Sequence, residues 1–448
     1  MMRLLDPLFT TGKMREIFSD TNRLQRMLDF EAALARALAG AEVAPHSSVA
    51  SIEAQCKSNL YSRDAIAGAA ALAGNLAIPL VKELAALVAK SDEKAAGFVH
   101  FGATSQDVID TGLVLQLREA FDDTEEDLAR LSLVLRQLAA EHKETLLAGR
   151  TWMQQASPVT LGLKFAGWLD AIERHRERFT QTRRRVEVLQ FGGAVGTLAG
   201  LGSAGPRVAE ALARELKLTL PDIAWHAQRD RPVEVAATYG LLTGTLGKMA
   251  RDISLMSQTE IDEVAEPAAP GRGGSSTLPH KRNPVGCSVV LAAAIRMPGL
   301  VSTMLSAMVQ EHERGLGGWQ AEWETLPEIC MLTSGALSQM IQILEGLEIH
   351  QDAMARNLDA TQGLLMAEAV AMALAKHMGK MPAHQVIERA SHRALESRKL
   401  FREVLGNEQE ISKYLSAREI DELLDPKNYT GSAQVMIDRV LDSAKKHS

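Results

Sequence analysis

The residues best suited to chemistry lie in one polar, glycine-rich stretch, Pro267 to Pro284. Gly271, Gly273 and Gly274 flank Arg272 and lead into Ser275 and Ser276. Glycine admits backbone shapes closed to other residues, so such a loop can move and turn several N–H groups toward one anion. Lys281 follows six residues after Ser275, and Asn283 two after that. A lysine is a compact cation for a carboxylate, and the asparagine amide donates and accepts beside it. Pro284 suits the first turn of a following helix, whose positive end is also expected to favour an anion. Each charge-assisted hydrogen bond would contribute roughly 1.5–3 kcal/mol. On spacing alone, a solvated surface loop is an equal reading.

Long helices must position this loop. Leu128, Leu131, Leu135 and Leu138 step by three and four residues. So do Leu242, Leu246, Met249, Ile253 and Met256, and again Leu337, Met340, Leu344 and Leu347. Each set draws one apolar seam on one helix face. The stretches around them run past twenty residues with few breakers, which predicts a bundle of rods completed by other subunits. The breaks are Gly97 to Asp107, a turn-rich approach to a helix, Gly149 to Pro158, and the Pro267–Pro284 loop. Loops between rods are where such a scaffold carries chemistry. The expected division is an N-terminal helical domain 1–107, a central long-helix bundle 108–350, and a C-terminal helical domain 351–448 of shorter, more polar helices.

Composition agrees with an all-α protein. Aromatics are only 4%, while Ala, Leu and Met are abundant, so the core is aliphatic and suits helix packing better than a β-sandwich. The net charge of -7, without a basic run, argues against nucleic acid as a partner. The cysteines, Cys56, Cys287 and Cys330, are odd in number and widely spaced, which argues against a disulfide framework or a zinc site. No His-Cys-carboxylate set has ligand spacing and no dinucleotide or phosphate-loop glycine pattern occurs, so neither metal nor cofactor is expected. The N-terminus lacks an apolar signal core and no charge-free apolar stretch is long enough to cross a bilayer, so a cytoplasmic protein without membrane partners is expected.

Gly274 to Pro284 (Gly-Ser-Ser-Thr-Leu-Pro-His-Lys-Arg-Asn-Pro) resembles the signature of the fumarase/aspartase superfamily, from which only Leu278 departs, replacing a methionine. His100-Phe101-Gly102-Ala103-Thr104-Ser105-Gln106-Asp107 is similar to its first shared region, and Arg150 to Pro158 to its second. The likeness continues through Gln228, His312-Glu313-Arg314 and Asn357 to Glu368, and so covers nearly the whole chain. It implies a fumarase/aspartase-like, all-α fold and a homotetramer whose active sites mix residues from three subunits. It implies that Ser275 and Lys281 are catalytic, with Ser275 exchanging a proton at the carbon beside a carboxylate. Lys281 and Asn283 would hold that carboxylate. Ser276, Thr104, Ser105, Gln106 and His100 are implied to bind substrate, as are Thr151, Trp152, Gln154, Gln228 and Arg314. A serine becomes a base only when its alkoxide is stabilised, which backbone N–H groups and cations achieve once a loop excludes water.

The departures narrow the chemistry. In the superfamily's argininosuccinate and adenylosuccinate lyases, a histidine after the threonine of the second region protonates a leaving nitrogen. Here that position is Trp152, whose indole N–H only donates. Another histidine of the nucleotide lyases falls at Asn75, and a phosphate-binding arginine at Trp323. A carboxylate needs no such acid, because it departs or attacks already ionised, its ordinary pKa being about 4. The expected reaction is therefore lactonisation of an unsaturated polycarboxylate, which the resemblance to the lactone-forming branch implies is a small tricarboxylate. Phe30 to Arg36, Leu189 to Ala194, Gln310 to Arg314, Trp319 and Glu322 to Pro327 strengthen the likeness to the lactone-forming branch. The proton would come from Ser275 or Lys281. Lys281, Arg272, Arg282, Arg229, Arg231 and Arg314 are candidate counter-charges. His226 and His312 are expected to be structural partners of polar groups, and His280 lies at a variable position. A fumarate-releasing lyase and a non-catalytic protein on the same scaffold are the rival expectations.

Overall fold

The structure is a computed structural model and describes residues 3–268, 271, 273–274, 277–278 and 280–446. The helices relevant to the site are α1 (Asp20–Gly40), α2 (Ser105–Glu141), α3 (Leu161–Val186), α4 (Gly205–Leu216), α5 (Asp230–Met256), α6 (Val285–Ala307) and α7 (Gly318–Glu345). They continue C-terminally as α8 (Gln351–Asp359), α9 (Ala367–Met378), α10 (Lys380–Ser397) and α11 (Ala433–Lys446). The expected rods are present, and α2 alone runs for 37 residues. The chain divides into two compact units. One comprises the residues up to Leu128, His175–Gly247 and Val289–Ser338, and the other Ala129–Arg174, Lys248–Ser288 and everything from Gln339 on.

In the first unit, α1 starts where Ser19 accepts the Asn22 N–H, a side-chain cap that the sequence places before its apolar run. Its apolar face (Leu24, Met27, Leu28, Leu34, Leu38) is buried in one core with Val208, Leu212 and Leu216 of α4. Phe121 of α2, Phe179 of α3 and Tyr239 of α5 form an aromatic knot with ring centroids 4.9–6.1 Å apart, and all three are fully buried. Thr243 and Thr333 join α5 to α7 by a hydroxyl pair at 2.8 Å. Leu242, Leu246, Leu128 and Leu337 are buried as the seams require. Gly335 of α7 is fixed by close approach: a Cβ there would lie 2.3 Å from the Phe9 carbonyl oxygen.

The second unit holds an antiparallel pair, β1 (Leu146–Thr151) and β2 (Gln154–Thr160), and a shorter one, β3 (Val264–Ala265) with β4 (Glu348–Ile349). The sequence reading took Gly149 to Pro158 as a loop; it is a hairpin. Its two-residue turn, Trp152-Met153, has φ of 51° and 65° without a glycine. Both residues lie in the left-handed region, the shape that matches strand twist in two-residue hairpins. The hidden signal was therefore a turn made by residue types that normally avoid it. Further on, Val370, Leu374, Ile387, Phe401 and Leu405 form the C-terminal core.

One expectation about membranes needs amending. Among the described residues, α6 is by itself long and apolar enough to cross a bilayer, by length and composition. The sequence reading looked for a charge-free stretch, and Arg296 interrupts this one. Arg296 pairs with Glu328.

The aromatic knot gives a direct check on the first unit. Phe179→Ala should destabilise the chain by about 3–5 kcal/mol, the usual cost of an aromatic cavity, read as a fall in the urea midpoint.

Candidate active site

In the first unit, the site is organised by two carboxylates one turn apart on α2. Asp107 is fully buried. Its Oδ2 accepts the Thr104 N–H at 3.0 Å and the Gly193 N–H at 2.9 Å. Its Oδ1 accepts the Gly192 N–H at 3.0 Å and lies 2.6 Å from His226 Nε2. This one side chain therefore closes the turn that carries Thr104 and Ser105 and pins the Leu189–Ala194 segment to it. Thr111 Oγ1 reinforces that join by donating to the Gln190 carbonyl at 2.8 Å.

Asp110 meets Arg229, which also meets Glu322. Arg229 Nη1 is 2.7 Å from Asp110 Oδ2 and Nε is 2.9 Å from Glu322 Oε1. All three are essentially unexposed. Trp319 Nε1 donates to Asp110 at 3.0 Å, and the Trp225 ring lies 5.0 Å beneath the guanidinium. One cation thus serves two buried carboxylates. Burial pushes the Glu322 carboxyl upward and the Asp110 charge adds to this, against the pull of Arg229.

This cluster aims a further cation. Gln106 is fully buried, and its Nε2 donates to Asp110 Oδ2 at 3.1 Å and to the His226 carbonyl at 2.8 Å. With both N–H groups satisfied, Oε1 faces Arg314 and accepts from its Nε at 2.9 Å. Arg314 Nη2 donates to the Ala194 carbonyl at 3.1 Å. Both acceptors are neutral, so the guanidinium charge is left for a ligand. His100 stands before the same turn, with Nδ1 2.6 Å from Glu31 Oε1. Thr104 and Ser105 are half-buried, and Gln228 is exposed just beyond the Trp225 turn.

In the second unit, Ser275, Ser276 and Arg272 lie outside the described residues. Lys281 is exposed and Asn283 half-buried. The Asn283 N–H donates to the Gly273 carbonyl at 2.9 Å. Gly273 has φ 69°, and a Cβ on it would lie 2.7 Å from the Asn283 carbonyl oxygen, so this crossing requires glycine. Arg282 forks onto Glu348 with both bonds at 2.7 Å and donates to the Glu266 carbonyl at 2.6 Å. The hydrogen bond and charge of Arg282 hold the Glu348 carboxyl below its ordinary range. Thr151, Trp152 and Gln154 are exposed at the hairpin tip, Trp152 by 99%. The strand behind them is anchored by Arg150, which forks onto fully buried Glu263 at 2.7 and 2.9 Å. Asn357 Nδ2 donates to the same carboxylate at 3.0 Å.

Several sequence expectations are corrected. The positive end of α6 does attract an anion, but the anion is Glu266, whose oxygens accept the Gly286 and Cys287 N–H groups at 3.0 and 2.7 Å. Those groups are therefore already occupied by the chain itself. Arg229 and Arg282 are committed to carboxylates, so neither is a free counter-charge; half-buried Arg231 donates to the neutral Arg185 carbonyl and has no ionic partner among the described residues. Lys281 and Arg314 have no ionic partner among the described residues. His226 is the expected buried structural partner. His312 is exposed with φ 50° and makes no hydrogen bond among the described residues, unlike the structural role expected for it. His280 is exposed. Asn75 Oδ1 accepts the Ala77 and Ile78 N–H groups at 3.0 and 3.2 Å, starting a helix. Trp323 packs edge-on against Trp319. Asp110, Glu322, Glu266 and Glu31 went unremarked as site-building residues; Asp110 had a signal in its place one helical turn after Gln106, and Glu31 and Glu322 in the shared segments that contain them.

Comparison with known proteins decides among the readings. Residues 9–299 match the Lyase family, and residues 363–440 match the adenylosuccinate lyase C-terminus family. The 3-carboxy-cis,cis-muconate cycloisomerase of Pseudomonas aeruginosa is 56% identical over 98% of this chain and 96% of its own length. The chain belongs to the 3-carboxy-cis,cis-muconate cycloisomerase family of the fumarase superfamily. The cycloisomerase of Acinetobacter baylyi is 47% identical over 99% of both chains. The crystal structure of the 3-carboxy-cis,cis-muconate lactonizing enzyme from Pseudomonas putida superposes with a TM-score of 0.94, at 55% identity over 99% of both chains. Family membership makes the fold that of the fumarase superfamily, as the signature implied.

The Arg282 fork is testable apart from activity. Arg282 and Glu348 are both partly exposed, so Arg282→Ala should cost no more than about 1 kcal/mol of stability, read from the urea midpoint. It should nevertheless speed thermolysin cleavage between Glu266 and Val285, because two anchors of that loop are lost.

Proposed function

We propose that the chain lactonises 3-carboxy-cis,cis-muconate to 4-carboxymuconolactone, a step of protocatechuate degradation by the β-ketoadipate pathway. The observation that carries this reading is the pairing of Trp152 at the hairpin tip with an intact Ser275, Lys281 and Asn283 signature. The tip offers no proton donor that titrates near neutrality, and an attacking carboxylate needs none.

One substrate carboxylate adds its oxygen to the conjugated carbon, forming the lactone C–O bond. The electron pair of the broken π bond moves onto the neighbouring carbon and its carboxylate. Lys281 and Asn283 hold that carboxylate as it takes up charge. A proton is then delivered to the carbon, by Ser275 or by Lys281. Arg314 supplies a second cation, aimed by Gln106. Thr104, Ser105, Ser276 and His100 bind the remaining carboxylate oxygens, with Gln154 and Gln228 donating at the rim. Thr151 and Trp152 wall the site. The product keeps every atom of the substrate, so no cofactor is required.

The active form in this reading is a cytoplasmic homotetramer with shared sites. A tryptophan as exposed as Trp152 in the single chain supports its being covered by another subunit.

Mixing the purified protein with 3-carboxy-cis,cis-muconate should bleach the diene ultraviolet band without releasing fumarate. Ser275→Ala should lower turnover by orders of magnitude, about 10²-fold or more, while leaving the circular dichroism unchanged. Fumarate release from argininosuccinate or adenylosuccinate, with the muconate untouched, would overturn the reading.

A further inference from the structure

Glu31 is out of place on α1. It sits among Phe30, Ala33 and Leu34 with 2% exposure, inside the apolar core of the first unit. Its Oε1 lies 2.6 Å from His100 Nδ1, and its buried Oε2 has no hydrogen-bond partner. His100 is thus its one hydrogen-bonding partner among the described residues. A carboxylate buried this way is tolerated when its partner carries the opposite charge.

His100 is itself unusual. Its backbone is left-handed, with φ 56°, a shape that non-glycine residues hold only where surrounding structure enforces it. It stands four residues before Thr104, just ahead of the turn that Asp107 closes. The side chain keeps 16% exposure, and Nε2 has no partner among the described residues. One nitrogen is therefore anchored in the core while the other is available.

We propose that Glu31 is a positioning residue for substrate binding: it fixes the His100 ring through Nδ1 and keeps it cationic, so that Nε2–H receives one carboxylate of the tricarboxylate. The proposal rests on the reading of His100 as a substrate-binding residue and adds the group that orients and charges it.

The electrostatic surroundings agree. Burial works to discharge His100, but the charge and hydrogen bond of Glu31, and the charge of Asp107, outweigh it and raise the imidazole above its ordinary value. Asp107 faces it from α2 and is itself bonded to His226. Cys56 and Tyr61 lie beyond Glu31, and burial pushes both upward, so they stay neutral near pH 7. Glu31 is thus the carboxylate bonded to the ring, and Asp107 adds its field.

The test compares wild type, Glu31→Gln, Glu31→Asp and His100→Gln by the pH dependence of KM and kcat, and by carbon-13 histidine NMR of the full chain. Wild-type KM should begin to rise at a higher pH than that of Glu31→Gln, because the raised imidazole keeps its charge to higher pH. Glu31→Gln should raise KM about tenfold at pH 7.5, recover toward wild type near pH 5.5 as an unassisted imidazole protonates, and leave kcat within about twofold. Glu31→Asp should fall between them, and His100→Gln should raise KM at every pH. A Glu31→Gln KM equal to wild type throughout, or a pH-independent loss shared by kcat and KM, would overturn the proposal. If the muconate is not turned over, the NMR still decides. The resonance missing in His100→Gln should titrate above about 6.5 in wild type and below it in Glu31→Gln. Identical titrations refute the dyad, whatever the substrate. If Glu31→Gln does not fold, a wild-type His100 that titrates below about 6.5 refutes it equally.

Discussion

An acidic protein that takes a triply charged anion must keep a cation free of carboxylates where that anion binds. In the proposed reaction the hydrogen bond between Gln106 Oε1 and Arg314 Nε would meet this need. It holds the guanidinium by neutral oxygens, so direction is fixed while charge is retained. Its reliability depends on the amide being unable to flip, and both Gln106 N–H groups are locked by the Asp110 carboxylate and the His226 carbonyl. Asp110 in turn is held by Arg229 and Trp319. The deeply buried ion pairs therefore serve the exposed arginine. Removing one partner would leave an uncompensated charge in the interior, so the whole assembly behaves as one unit.

The second unit solves a related problem at the signature loop. Arg282 lies between Lys281 and Asn283 in sequence, yet its charge goes to Glu348 and not to a ligand. Glu266 occupies the first N–H groups of α6. These two carboxylates anchor the C-terminal end of the loop while leaving Lys281 without an ionic partner among the described residues.

The rods were legible because packing repeats: Leu242, Leu246, Met249, Ile253 and Met256 recur at helical spacing and all are buried. The hairpin was not legible, since Trp152 and Met153 make a left-handed turn without the glycine or asparagine that would advertise it. Signature chemistry could be read from a short contiguous pattern. Its supports could not, because Asp107 and His226 are 119 residues apart and meet only in the fold. Glu31 is hidden in another way: between Phe30 and Ala32 it has no local partner, and its role depends on His100, 69 residues away. Arginines posed the hardest case, for nothing local distinguishes one that pairs with a buried carboxylate, Arg229, from one held by an amide, Arg314.

In the proposed reaction the attacking oxygen is already ionised, so that a tryptophan can stand where relatives of different chemistry use an imidazole. The most direct measurement is kcat for the cyclisation across pH 6 to about 8.5, the range in which a histidine general acid would titrate. The account predicts a level profile, because the chemical step uses no imidazole proton. A descending limb centred near pH 7 in kcat, persisting at saturating substrate, would contradict it.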